Sequence, residues 1–153
     1  SLMGIAAVFP MSEGPVTICD VGANIACKPI NIYQYGLMAS IYSEHMFGIK
    51  NPRVGLMSIG QEDAKGNEVI KRTRELLRSD TGLNFVGNVE PREFFTDKAD
   101  VVVADGFSRS FTEALAALAR ASIRGSHAPS DLTRRLLAGV AAEHGIDLAR
   151  HPL

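Results

Sequence analysis

Val101-Val102-Val103-Ala104 is an uninterrupted apolar run that stops at Asp105-Gly106-Phe107. Four apolar residues without polar alternation fit a central strand covered on both faces, and the Asp-Gly pair that follows is turn chemistry. Similar short runs recur upstream. Residues 53–59 (RVGLMSI) and 84–87 (NFVG) read as strands flanking a helix that runs to about Arg78. In that helix Val69, Thr73, Leu76 and Leu77 face inward, and Glu68 with Arg72 and Lys71 with Glu75 form pairs four apart on the outer face. Residues 5–9 (IAAVF) and 16–19 (VTIC) are two further strands, separated by a turn segment at 10–15. Residues 31–47 are helix-compatible and apolar on most sides, with Gly48 as a stop and Pro52 close behind. So apolar a helix belongs inside a domain or an interface rather than on open surface. Strands separated by helices of this length predict an α/β fold, a mainly parallel sheet flanked by helices.

A length of 153 residues with 46% hydrophobic content suits one ordinary domain with a real core. The composition changes after Phe107, where the last 46 residues hold ten alanines, six arginines and no lysine. The chain therefore divides into an α/β region at 1–107 and an alanine- and arginine-rich helical tail at 108–153. Sixteen basic against 17 acidic side chains leave no basic excess to neutralise phosphates, so nucleic acid is not an expected partner. Apolar runs fall far short of a membrane span, and the first ten residues lack the basic flank of a secretory signal. Cys19 and Cys27 form neither a CxxC pair nor a histidine-bearing cluster, which predicts no disulfide framework and no metal site.

In an open parallel sheet, ligands collect beyond the carboxyl ends of the strands. Three polar segments follow strands here: Asp20-Val21-Gly22-Ala23-Asn24, the stretch from Gly60 to Asn67, and Asp105-Gly106-Phe107. In the second, Gly60 and Gly66 permit close backbone approach, the next helix offers free amide donors, and Lys65 adds a positive charge. Such a pocket suits a phosphate, an acyl phosphate or a carboxylate. The same spacing also describes a solvated helix-start lysine, with Glu62 and Asp63 as dipole partners. Asp20 and Asn24 equally suit an Asx turn at the strand-to-helix corner, and Asp105 a plain turn. No Walker loop, GxGxxG or GxSxG elbow is present, and no histidine is placed to activate a cysteine.

Taken in order, these segments resemble one family. Asp20 to Asn24 followed by Cys27-Lys28-Pro29 is similar to the DVGAN…KP segment of the PlsX-type phosphate acyltransferases of bacterial phospholipid synthesis. Asn51 to Leu56 with Ile59-Gly60-Gln61-Glu62 resembles their NPRVGLLNIGEE, and Lys65-Gly66-Asn67-Glu68 matches KGNE. Phe85 to Glu90 is similar to FIGNVE, and Ala99 to Phe107 to ADVVVCDGF. The motifs run in register over about residues 2–107.

The resemblance implies transfer of a long acyl chain from acyl carrier protein to inorganic phosphate, giving an acyl phosphate. It implies a fold like that of isocitrate dehydrogenases and phosphotransacetylases, of which this chain would be an incomplete portion. It also implies a cytoplasmic homodimer, peripherally associated with the inner face of the membrane, and no organic or metal cofactor. Lys65 takes the place of the lysine associated with catalysis. Asp20, Asn24, Gly60, Glu62, Gly66, Asn67 and Asp105 fall on the segments expected to bind phosphate and substrate. Two departures stand out. Family members begin well upstream, and where they read DGFxGN this chain has Arg109 for the glycine and Ser110 for the functional asparagine. A shorter hydroxyl thus replaces an amide with two donors and an acceptor. An alternative reading follows, a non-catalytic relic that binds anions or assembles through the apolar helix at 31–47.

Overall fold

Backbone pairing turns these segments into one five-stranded sheet. The computed structural model describes residues 4–11, 13–21, 27–58, 68–90, 93–94 and 96–104. Its elements are β1 (Ala6–Met11), β2 (Gly14–Cys19), α1 (Pro29–Phe47), β3 (Arg53–Met57), α2 (Glu68–Ser79), β4 (Asn84–Val89) and β5 (Val101–Val103). The strand order is β1-β2-β5-β3-β4. β2, β5, β3 and β4 run parallel, and β1 closes one side as the antiparallel arm of a hairpin with β2. The valine run is the central strand, as its lack of alternation predicts. Val101 and Val103 pack under the helices, while Val102 enters the cluster on the opposite face.

Both crossovers that step outward, β2 to β3 and β3 to β4, carry their helices on one face. There Ile32, Tyr35 and Ala39 of α1 and Ile70 and Leu77 of α2 meet Val54, Leu56, Val101 and Val103. The connection that runs back from β4 to β5 packs Phe94 and Ala99 on the other face, against Phe9, Ile18 and Val102. A return in the opposite direction on the opposite face is what a single crossover handedness demands. Gly55 is fixed by packing, since a Cβ there would overlap Val89 Cγ2. The β3–β4 register shifts between Val54 and Gly55, and Gly87 opposite it has a φ of 97°.

Several boundaries differ from the sequence reading, each for a local reason. The β1–β2 turn is tighter than the six residues from 10 to 15, because Pro10 pairs with Pro15 and Met11 with Gly14. α1 begins at Pro29, in the first turn where a missing amide costs nothing. Its start is tied by Lys28 N donating to Asn31 Oδ1 at 3.0 Å, and its end by Gly48 in the left-handed region. β3 closes at Met57 and β4 reaches Val89. On α2 the ion pairs are Lys71–Glu68 and Arg72–Glu75, three apart rather than four. The inward positions of α2 are Ile70, Thr73, Arg74 and Leu77, with Val69 and Leu76 half-covered. The tail at 108–153 lies outside the described residues. Among those described, no helix is long and apolar enough to cross a membrane.

The amino edge of the sheet is locked by one arginine. Arg53 donates from its backbone N and its Nε to Asp100 Oδ2, at 2.7 and 3.0 Å, and from Nη2 to Asp100 Oδ1 at 2.9 Å. The same guanidinium reaches Asp97 through its backbone carbonyl and its Oδ1. Burial alone would raise the Asp100 carboxyl, but these hydrogen bonds and the adjacent charge outweigh it and hold the group below its usual value.

Candidate active site

The register places the carboxyl ends of the parallel strands in a single row. Cys19 of β2 pairs with Val103 of β5, Val103 with Leu56 of β3, and Leu56 with Asn88 of β4. β2 and β3 are two strand spacings apart, about 10 Å at the usual separation. The chain leaves this row at Asp20, Ser58 and Ala104, and Ala104 N donates to Cys19 O at 3.0 Å. The polar segments 20–24, 60–67 and 105–107 are therefore rooted on three adjacent strands.

Of the residues read from the sequence as site candidates, Asp20 is the one among the described residues. It is fully buried at the end of β2, and its Oδ1 accepts the Ile5 amide at 2.7 Å. Val21 N donates to Ile5 O at 2.9 Å beside it. Asp20 thus anchors the chain before β1 to the exit of β2, a tie across 15 residues. Asn24, Gly60, Glu62, Lys65, Gly66, Asn67, Asp105 and Ser110 lie outside the described residues.

Two buried polar side chains at this edge were not singled out from the sequence. Asn88, the penultimate residue of β4, is 7% exposed, and its Oδ1 accepts from Nε of Arg74, itself 5% exposed. An arginine can only donate, so this bond fixes which way the amide faces. Its other end, Nδ2, is buried and has no hydrogen-bond partner among the described residues. A lone asparagine in NFVGNV and an arginine in a charged helix carry no sequence signal of burial, because both residue types usually sit at the surface. Ser58 is also buried, with its amide on Val89 O.

The remaining chemistry-bearing groups have structural surroundings. Burial, then the nearby Asp20 and Cys27, push the Cys19 thiol up to about 12, so it stays protonated and unreactive at neutral pH. His45 is exposed on α1 with Nδ1 on Ile41 O at 2.9 Å, away from the carboxyl row. Tyr33 donates to Asp80 Oδ2 at 2.8 Å, linking α1 to the end of α2. Tyr35 is fully buried, and desolvation raises its phenol to about 12. Among the described residues no group of three or more histidine, cysteine, aspartate or glutamate side chains is arranged to hold a metal.

Comparison with known proteins follows the same residues. A family model described as "Fatty acid synthesis protein" matches residues 3–142, reaching past Phe107 into the tail. A phosphate acyltransferase of Nitratidesulfovibrio vulgaris (strain DP4) is 42% identical over 146 residues, covering 95% of this chain and 41% of that one. Phosphate acyltransferases of Halothermothrix orenii and Bacillus thuringiensis (strain Al Hakam) are 53% and 50% identical over 104 and 105 residues. Those two alignments cover 67% and 68% of this chain, and 31% and 32% of the relatives. The chain spans about two fifths of the length of the first relative and about a third of the other two.

Proposed function

The chain belongs to the fatty acid synthesis protein family, and from that premise we propose that it forms the phosphate-binding half of an acyltransferase that makes acyl phosphate. The substrates are a long-chain acyl thioester on acyl carrier protein and inorganic phosphate. The observation that carries the reading is the carboxyl row, which roots three polar segments within about 10 Å of one another. The glycine-bearing segment at 60–67 is assigned to phosphate, because Gly60 and Gly66 permit close backbone approach, with Glu62 and Asn67 as candidate contacts on the same segment.

A phosphate oxygen attacks the thioester carbonyl carbon, the new C–O bond forms, and the C–S bond breaks. The carrier thiolate leaves and takes up a proton. Lys65 offsets charge on the phosphate and on the thioester oxygen as it develops. Asp20 keeps the exit of β2 in place, and Asn24 and Asp105 belong to the neighbouring segments assigned to substrate. No nucleophile of the protein is needed, in keeping with the protonated Cys19. A cytoplasmic homodimer at the inner face of the membrane is the setting that goes with this reading.

The test is formation of acyl phosphate from acyl-acyl carrier protein and phosphate, with Lys65→Ala as the control. Activity that Lys65→Ala leaves untouched would remove the site assignment. Ser110 and Arg109, standing where the family motif has asparagine and glycine, favour a second reading, an anion-binding or assembling form without turnover. Phosphate binding without acyl phosphate formation, with turnover gained by Ser110→Asn, decides for that second reading.

A further inference from the structure

Asn88 is the last residue of β4 on the helix-covered face of the sheet. It pairs with Leu56, which packs under the helices, while Val89 after it turns to the opposite cluster. Arg74 reaches it from the buried side of α2, where it lies between Ile70 and Leu77. Nε of Arg74 donates to Asn88 Oδ1 at 3.1 Å, and both residues are more than nine-tenths buried. If holding Arg74 were the whole role, an acceptor alone would serve, and aspartate would supply one with a charge to match the guanidinium. Asparagine brings a donor as well. That donor, Nδ2, has no partner among the described residues. Buried donors are normally paired, and in low-dielectric surroundings a missing partner is costly. The arrangement is that of a donor held for an acceptor that arrives with a ligand.

We propose that Asn88 contacts the bound phosphate, donating from Nδ2 to one of its oxygens, and that Arg74 is the positioning residue that fixes this donor. Three features select phosphate. Its oxygens accept and it has few protons to donate, which matches an amide whose acceptor is already taken. The guanidinium behind the amide favours a negative oxygen over a neutral carbonyl. The third feature is placement. β4 lies one strand spacing, about 5 Å, from β3, and β3 leads through Ser58 toward the segment assigned to phosphate. Asn88 thus adds β4 to the three strands that root the polar segments. The identity of the anion rests on the proposed function, whereas the unpaired donor and its buried clamp do not.

Isothermal titration of the protein with inorganic phosphate tests this without requiring turnover. The unmodified protein is expected to bind phosphate. Asn88→Asp, which keeps an acceptor for Arg74, should weaken binding at least about tenfold, the scale of one hydrogen bond to a charged group. Asn88→Ala should do the same, with circular dichroism confirming that each variant is folded. Arg74→Gln can still donate to Oδ1 and should retain more phosphate affinity than Arg74→Leu; equal loss in the two removes the positioning role. In the acyltransfer assay Asn88→Asp should raise KM for phosphate and not KM for acyl-acyl carrier protein. Unchanged phosphate affinity in the two Asn88 variants overturns the inference, as does an unmodified protein that binds no phosphate. A rise confined to KM for acyl-acyl carrier protein overturns it too. Phosphate binding that depends on Asn88, with no acyl phosphate formed, removes the reaction and leaves the contact. Acyl phosphate formation with phosphate binding indifferent to Asn88 removes the contact and leaves the reaction.

Discussion

The two edges of the sheet are built on opposite rules. At the amino edge Arg53 spends its guanidinium on Asp97 and Asp100, and Asp100 N returns a bond to Arg53 O at 2.8 Å. At the carboxyl edge Asp20, Ser58 and Asn88 are more deeply buried than that half-exposed clamp, yet among the described residues Asn88 finds no partner for its amide nitrogen. Buried polar groups are normally satisfied, so the first edge is organised for stability and the second holds polar capacity in reserve. The contrast supports the proposal that chemistry belongs to the end where the polar segments begin.

Substitutions at the two ends should separate rate from stability. The largest effect is expected from Lys65→Ala, which should lower acyl phosphate formation about 10²–10³-fold without moving the melting temperature. Equal loss of both would erase the contrast. Next, Asp100→Asn should cost about 1–3 kcal/mol in urea unfolding, the scale of hydrogen bonds to a charged group, and less if solvent screens Asp97. Activity per folded molecule should not change.

The acid limb sharpens this second case. The folded carboxyl of Asp100 titrates below its unfolded value of about 3.9. Its stabilisation is therefore complete above that value and is lost as pH falls through the folded one. The unmodified protein should lose stability between about pH 4 and lower pH more steeply than Asp100→Asn does. Parallel acid profiles would mean that the clamp contributes little.

At the other edge, Asn88→Asp keeps an acceptor for Arg74 and replaces the amide donor with a second carboxylate oxygen. Turnover should fall, the loss expected if that donor is retained for function. A rise in stability with full turnover would make Asn88 a flaw rather than a reserve. The smallest effect belongs to neither edge. Glu68→Gln, which removes the exposed pair with Lys71, should cost a few tenths of a kcal/mol by thermal melting.

How far the sequence carried depended on the kind of signal. The run at 101–104 is central because nothing polar interrupts it, and pattern alone located the five strands and two helices found among the described residues. Boundaries slipped where tertiary geometry decided. Asn88 and Val89 look like loop residues, yet the bulge at Gly55 draws them into β4. The pairs on α2 chose a spacing of three because each long side chain has a partner on either side. The buried Arg74–Asn88 pair was hidden, since burial of such residues depends on neighbours remote in sequence. The motifs named the site segments, and the sheet supplied their common origin. Asp20 illustrates both: its motif flagged it, and the structure gave it an anchoring bond that no spacing rule contains.

α1 also has an optical consequence. The chain contains three tyrosines and no tryptophan, and Tyr33, Tyr35 and Tyr42 all belong to this helix. Intrinsic fluorescence is therefore a report from one element, in three distinguishable settings. Tyr42 stands at the surface edge-on to Phe47, Tyr33 donates to Asp80, and Tyr35 lies in the core. Tyr42 should be open to quenchers in the folded protein while Tyr35 stays dark to them, and loss of the sheet should expose Tyr35. A single unlabelled sample can thus distinguish a local change at the outer face of α1 from unfolding.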